Sequence, residues 1–293
     1  MPTLYVVATP IGNLGDMSKR AVETLKSVSR VYAEDTRNSS RLMVSFDIHT
    51  PMSSLHLFNE AEKSALVVDK MLESGEDAAI ITDAGTPAVS DPGFMLVREA
   101  ASRGVSVIAI PGCCAAAAAV SVSGIDSREF QFYGFLPRKN GELRQKLWEM
   151  RKRGETAVFY ESPLRVVELM RVMEKEMPEL RVSVSCDLTK LHELTLRGSV
   201  SDVLKAMEAN PKANKGEYCL VLDLSGVPDK AAENTETASV EALLLERLLS
   251  GDDMRSAMEA LKAQGHRKNR LYEAKLAVEA FIDKYNKNLE DNS

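Results

Sequence analysis

Thr82-Asp83-Ala84-Gly85-Thr86-Pro87-Ala88-Val89-Ser90-Asp91-Pro92-Gly93 follows directly on the apolar run Ala78 to Thr82. A short apolar run that ends in turn residues reads as a buried strand, and a strand of a parallel α/β sheet carries its functional loop at its carboxyl end. Two prolines, two glycines and two aspartates are more than a chain reversal requires. Proline fixes a backbone dihedral and glycine admits close approach, so the loop offers rigid main-chain donors and acceptors with little side-chain bulk.

Working outward, the same alternation recurs. Leu4 to Ala8, Arg30 to Glu34 and Val105 to Ile110 are further strands, and Ala21, Val22, Leu25 and Val28 form one helical stripe. Ala65, Val68, Met71 and Leu72 form another; Phe94 to Arg103 and Ala115 to Val122 complete the helices. Strands alternating with amphipathic helices predict a mostly parallel sheet with crossover connections. The pattern restarts with strands at Gln131 to Phe135, Ala157 to Glu161, Arg181 to Cys186, Glu193 to Arg197 and Tyr218 to Leu224. Helices are expected at Gly141 to Lys152, Leu164 to Lys175 and Ser201 to Glu208. The short link between the strands near 181 and 197 implies antiparallel pairing, hence a mixed second sheet. The expected organisation is an N-terminal α/β domain over 1–124, a second α/β domain over 125–225, a linker over 226–238 and a helical C-terminal region over 239–293. In that region Ser239 is placed to cap a first helix, followed by Met254 to Ala263 and Arg267 to Tyr285; three such helices suit either packing or a helix-turn-helix-like nucleic-acid module.

Composition narrows the function classes. The chain has 293 residues, 44% hydrophobic and 27% charged, as in ordinary globular proteins. Four cysteines without a C-x-x-C pair and four scattered histidines argue against a disulfide scaffold and a metal cluster, and fit a reducing, cytoplasmic compartment. The longest apolar run, Cys113 to Val120, is far short of a bilayer span, and the N-terminus lacks the charged and apolar regions of a signal peptide. The net charge is −6, yet Arg138, Lys139, Arg144, Lys146, Arg151, Lys152 and Arg153 cluster against only Glu142 and Glu149, with a smaller basic group at 266–270. Local clustering, not net charge, decides phosphate binding.

The chain holds no G-x-G-x-x-G after its first strand, no P-loop, no H-E-x-x-H and no G-x-S-x-G. Instead, the first strand runs into Thr9-Pro10-Ile11-Gly12-Asn13-Leu14-Gly15-Asp16, and the strand ending at Ile110 into Pro111-Gly112-Cys113-Cys114-Ala115. Each alone is ordinary turn chemistry; three together outline one crevice. Ala33-Glu34-Asp35-Thr36-Arg37 and His56-Leu57-Phe58-Asn59-Glu60 add charge to loop mouths. In the second domain, Gly134-Phe135-Leu136-Pro137-Arg138, Phe159-Tyr160-Glu161-Ser162-Pro163-Leu164-Arg165 and Asp187-Leu188-Thr189-Lys190 end strands in the same way.

The ordered set TPIGNLGD, AEDTR, TDAGTPAVSDPG, PGCCA, GFLPR, FYESPLR, DLTK and GEY resembles the ribosomal RNA small-subunit methyltransferase I family, of the tetrapyrrole-methylase fold. The resemblance runs from Leu4 to about Leu224, with a weaker echo around Lys268-Asn269-Arg270-Leu271-Tyr272. It implies a homodimer of two α/β domains with S-adenosyl-L-methionine (AdoMet) in the cleft between them. The implied reaction is methyl transfer to the 2′-hydroxyl of a cytidine in the decoding region of 16S rRNA, free or in the small ribosomal subunit. By the same resemblance Pro10, Ala84, Gly85, Thr86, Val89, Cys114 and Ala115 line the cofactor pocket from the first domain, and Tyr160, Leu188 and Glu217 from the second. Three positions depart from the family pattern: Cys113 for the common proline, Asp187 for the common glutamate, and Cys186 for the arginine before it.

Methyl transfer needs alignment of an oxygen nucleophile with a sulfonium methyl and no metal. Glu34, Asp35 and Glu60 are candidate bases; Arg37, Arg138, Lys139 and Lys190 are candidate phosphate contacts. Aromatics make up 5% of residues with no obvious stacking platform, which favours a folded RNA over a free strand. Two other readings are a tetrapyrrole (precorrin-type) C-methyltransferase on the same fold, and a non-catalytic ribosome-assembly factor that retains an AdoMet-sized pocket.

Overall fold

The computed structural model describes residues 1–57, 59–225, 227, 239–266 and 268–290, the side chains of 283–290 excepted. Contacts divide the chain into two compact units, Met1–Val227 and Pro228–Ser293. The first holds two five-stranded sheets. The expected 226–238 linker lies outside the described residues apart from Val227, which is buried in the second sheet's core.

The first sheet is wholly parallel, in the order β3-β2-β4-β1-β5: β1 (Thr3–Val7), β2 (Arg30–Ala33), β3 (Met52–Ser54), β4 (Ala78–Ile81) and β5 (Ser106–Ile110). Side chains alternate across it, as the two-residue period of a strand requires. Leu4, Tyr32 and Ile80 face α3 (Glu60–Ser74) and α4 (Phe94–Ser102), which contribute Val68, Met71, Leu96 and Ala100. Val7, Val31, Ala79 and Ile81 face the other way, against Ala21 and Leu25 of α1 (Lys19–Ser27) and Met43 of α2 (Thr36–Ser45).

Two elements, α2 and β3, have no counterpart in the sequence reading. α2 reads Thr-Arg-Asn-Ser-Ser-Arg-Leu-Met-Val-Ser, rich in weak helix formers, and buries only Ser39 and Met43, so no stripe announces it. Its start is set by Asp35, whose carboxylate accepts the Arg37 amide at 2.8 Å. β3 is a three-residue edge strand, too short for alternation to show.

The second sheet is mixed, as expected, in the order β6-β7-β10-β8-β9: β6 (Phe130–Phe135), β7 (Thr156–Glu161), β8 (Arg181–Cys186), β9 (Leu194–Ser199) and β10 (Tyr218–Asp223). Only β6 and β7 pair in parallel. One face packs Phe159, Val184 and Leu220 against α6 (Asn140–Arg153), α7 (Val166–Glu176) and α8 (Val200–Ala209), through Leu147, Met170 and Leu204 among others. The other face, carrying Val158, Cys219 and Val221, is covered by Ala116 and Ala119 of α5 (Ala115–Ser123). The helix that leaves the first sheet thus roofs the second, and its alanines permit the close approach.

The second unit has three described helices, α9 (Val240–Leu249), α10 (Met254–Ala263) and α11 (Lys268–Glu290). Ser239 and Asp253 cap the first two, and Leu244, Leu261, Leu271 and Val278 form the core. Arg267, the expected start of the last helix, lies outside the described residues. Among the described residues no helix is long and apolar enough to cross a membrane, and no group of His, Cys, Asp or Glu is arranged to hold a metal.

Candidate active site

The three loops that leave β1, β4 and β5 are stitched into one edge. Thr9 and Gly85 exchange both main-chain hydrogen bonds (2.9 and 3.1 Å), and the Thr9 hydroxyl donates to Thr82 O at 3.2 Å. Ala8 N donates to Ile110 O at 3.2 Å, and the Thr86 hydroxyl to Cys113 O at 2.9 Å. Cys113 therefore meets its neighbour through a carbonyl that any residue supplies, and its departure from the family pattern leaves this contact intact. Ala88 and Ser90 both adopt positive φ (65° and 69°), strained for residues with a Cβ, within the loop first singled out.

Between this edge and the second sheet lies a cavity of ≈ 340 Å³, of the size that small-molecule sites occupy. Ala84, Gly85, Thr86, Val89, Cys114, Ala115, Tyr160, Leu188 and Glu217 all line it; Pro10 does not, and its neighbour Ile11 does. Cavity residues that the sequence reading missed include Ser90, Asp91, Phe135, Glu161, Gly216 and Cys219. Asp91, Phe135 and Glu161 stand inside the motifs already quoted, so their motif membership was the available signal.

Each wall is held from outside. The Tyr160 hydroxyl accepts the Ala116 amide at 3.2 Å, fixing the ring at the start of α5; Phe132 and Phe135 contact that ring edge-on at 5.1 and 5.7 Å. Burial pushes the Tyr160 phenol up, and the Cys219 thiol up to about 12, so both stay protonated. Phe135 is 62% exposed at the cavity, a free aromatic face that the low aromatic content did not announce. Asp187 N donates to Glu217 O at 3.0 Å, and Lys190 Nζ donates to Asp187 Oδ1 and Glu217 Oε2 at 2.7 and 3.0 Å. Gly216, at φ +89°, sits so close beneath Asp187 that a Cβ there would fall 2.6 Å from Oδ2. Gly134, at φ +63°, brings β6 against the first sheet's loop, with Ser90 Oγ 3.0 Å from where a Cβ would stand.

The charged candidates separate by their partners. Glu60 is buried, its Oε1 accepting the amides of Gly93 (2.9 Å) and Met95 (2.7 Å) at the start of α4; it is no cavity residue but a cap supplied from another helix. Replacing it with alanine is expected to leave both amides unsatisfied and to cost about 1–3 kcal/mol, read as a lower urea midpoint. Asp35 is paired with Arg37 through contacts of 3.2 and 3.0 Å, and hydrogen bonds from the Arg37 side chain hold its carboxyl below the usual range, a poor base. Glu34 is raised, first by burial and then by Asp83, but does not line the cavity. Lys190 is neutralised by two carboxylates and Lys139 lies 3.2 Å from Glu142, while Arg138 is exposed and acts on Glu161. Within the basic helix α6, Arg151 is a buried structural residue that donates to Glu176 O at 3.1 Å.

Comparison with known proteins agrees with this arrangement. The family described as Tetrapyrrole (Corrin/Porphyrin) Methylases matches residues 3–204. The chain is 37% identical over 277 residues to ribosomal RNA small subunit methyltransferase I of Haemophilus influenzae, covering 94% of this chain and 96% of that protein. The protein of the same name from Pseudomonas aeruginosa is 40% identical over 277 residues (94% and 96%), and that of Bacillus subtilis 41% over 223 (76% and 75%). Among solved structures, diphthine synthase shares the fold at a TM-score of 0.57 and 14% identity (76% of this chain, 90% of that one). The uroporphyrin-III-C-methyltransferase of Thermus thermophilus does so at 0.50 and 18% (78% and 100%).

Proposed function

Because the chain belongs to the ribosomal RNA small subunit methyltransferase I family of tetrapyrrole methylases, we propose that it transfers the methyl group of AdoMet to the 2′-hydroxyl of a cytidine in the decoding region of 16S rRNA. The observation that carries the reading is the cavity whose walls combine all three stitched loops with the ends of β7, β8 and β10.

The residues present fit AdoMet. Ile11, Val89, Ala115 and Leu188 supply apolar surface for an adenine, and the carboxylates of Glu161 and Glu217 give the cavity the sign that suits a sulfonium and an α-ammonium. When bound, AdoMet supplies an electrophilic methyl group. What the chain supplies is position: loops pinned by main-chain hydrogen bonds hold a near-attack geometry without reorganising. Phe135 offers its exposed face to a nucleobase at the cavity mouth, and Arg138 beside it offers an exposed guanidinium to a phosphate. Of the four basic candidates Arg138 is the strongest phosphate contact, since Arg37, Lys139 and Lys190 each have an acidic partner. The reading includes a homodimer acting in the cytoplasm on rRNA or the small subunit.

The test is transfer of label from tritiated AdoMet to small subunits that lack the modification, with nuclease digestion and mass spectrometry of the labelled nucleotide. The expected product is 2′-O-methylcytidine. AdoMet binding without transfer to subunits or naked rRNA would overturn the reading in favour of a tetrapyrrole substrate or a binding role. The full-length similarity to rRNA methyltransferases favours RNA over tetrapyrrole, because the likeness to the uroporphyrin enzyme extends to the fold alone.

A further inference from the structure

Three carboxylates line the cavity, and their surroundings distinguish them. Glu217 is held by Lys190 at 3.0 Å. Glu161 is buried, accepts the Ser162 amide at 2.7 Å and has Arg165 at 3.4 Å. Asp91 alone of the three is acted on by neither a hydrogen-bond donor nor a cation among the described residues. It stands in a loop closed by the Ala88 N–Pro92 O hydrogen bond (3.1 Å), with Ala88 and Ser90 at positive φ, and lines the cavity.

We propose that Asp91 is the catalytic base, the group that receives the hydroxyl proton as the methyl group is transferred. This deepens the methyltransferase reading and rests on it. The substrate oxygen forms a bond to the methyl carbon, the carbon–sulfur bond breaks with its electron pair going to sulfur, and the hydroxyl proton passes to the Asp91 carboxylate. Sulfonium and carboxylate charges disappear together, so the step leaves no unpaired charge in the cavity; the proton is later lost to water.

The groups around Asp91 suit it to this task. Glu34 at the end of β2 and Asp83 at the end of β4 both act on it, and Tyr160 faces it from β7 as a neutral phenol. Glu34 is itself tempered by His56, and Asp83 is tied to the Asp35 amide (3.3 Å) and to Asn38 (2.8 Å). Burial first, and the two like charges second, push the Asp91 carboxyl up to about 6. At neutral pH it is ionised yet more basic than an ordinary aspartate, the compromise at which general base catalysis is most effective.

The test compares wild type with Asp91→Asn in single-turnover methyl transfer to small subunits, AdoMet binding by calorimetry, and the pH profile of kcat/KM. Asp91→Asn is expected to slow transfer by about 100-fold or more, with AdoMet Kd within about threefold and the acid limb near pH 6 removed. Transfer by Asp91→Asn near the wild-type rate, or an unmoved acid limb, would overturn the assignment. Loss of AdoMet binding in the variant would overturn it too, making Asp91 a cofactor-binding residue. Should the variant not fold, the wild-type profile decides: a unit-slope rise up to about pH 6 supports a base, and a flat profile overturns it. A wild type that transfers nothing to RNA refutes the substrate reading itself, a different outcome from a fast variant.

Discussion

Gly216→Ala is expected to abolish tight AdoMet binding and to destabilise the first unit by roughly 2–6 kcal/mol, the sum of backbone strain and overpacking. At φ +89° an alanine is strained whatever the space, and here its Cβ would also lie 2.6 to 3.0 Å from all three terminal atoms of the Asp187 carboxylate. That carboxylate cannot swing away freely, because Lys190 Nζ and the Glu217 amide both bind Oδ1. Relief has to come from moving the β8–β9 turn, where Leu188 lines the cavity and Asp187 and Thr189 already sit at positive φ. Calorimetric titration and a denaturant midpoint check the two effects; wild-type values for both would show that the turn yields without consequence.

Phe159→Ala is expected to cost about 3–5 kcal/mol while changing AdoMet affinity little at temperatures where the variant stays folded. Phe159 is fully buried among Met170 and its neighbours, on the face of β7 away from the cavity, whereas Tyr160 points to the other side. The alternation of one strand thus separates holding the second sheet together from building the site. A large affinity loss in folded Phe159→Ala would contradict that separation.

Much of this was legible in the sequence because the signals are local. Runs such as Tyr-Cys-Leu-Val-Leu at 218–222 of β10 are nearly all apolar, as a central strand covered on both faces must be. Ser239 and Asp253 cap through neighbours three residues on. The cavity loops declared themselves by proline and glycine content, and their union at one edge followed from parallel strands. What stayed hidden depends on partners distant in the chain. Glu60 reads as a loop-mouth acid until α4 is placed over it; Lys190 reads as a phosphate contact until Asp187 and Glu217 enclose it. Asp91 acquires its character from burial first and then from Glu34, which follows β2, the neighbour of the strand β4 that leads into the Asp91 loop. α2 and β3 were missed for the opposite reason, too few apolar residues to carry a period.

The strand orders also govern when the cavity can exist. β1 lies between β4 and β5, pairing Thr3 with Ser106, and β10, the last strand made, lies between β7 and β8. During synthesis the first sheet cannot close until Ile110 is available, nor the second until Asp223 is. Such high contact order makes both closures slow, late events. The Thr9 turn has no partner until Gly85 is in place. A ligand of the cavity therefore cannot act as a folding template; it can only draw the finished molecule away from its unfolded forms by mass action.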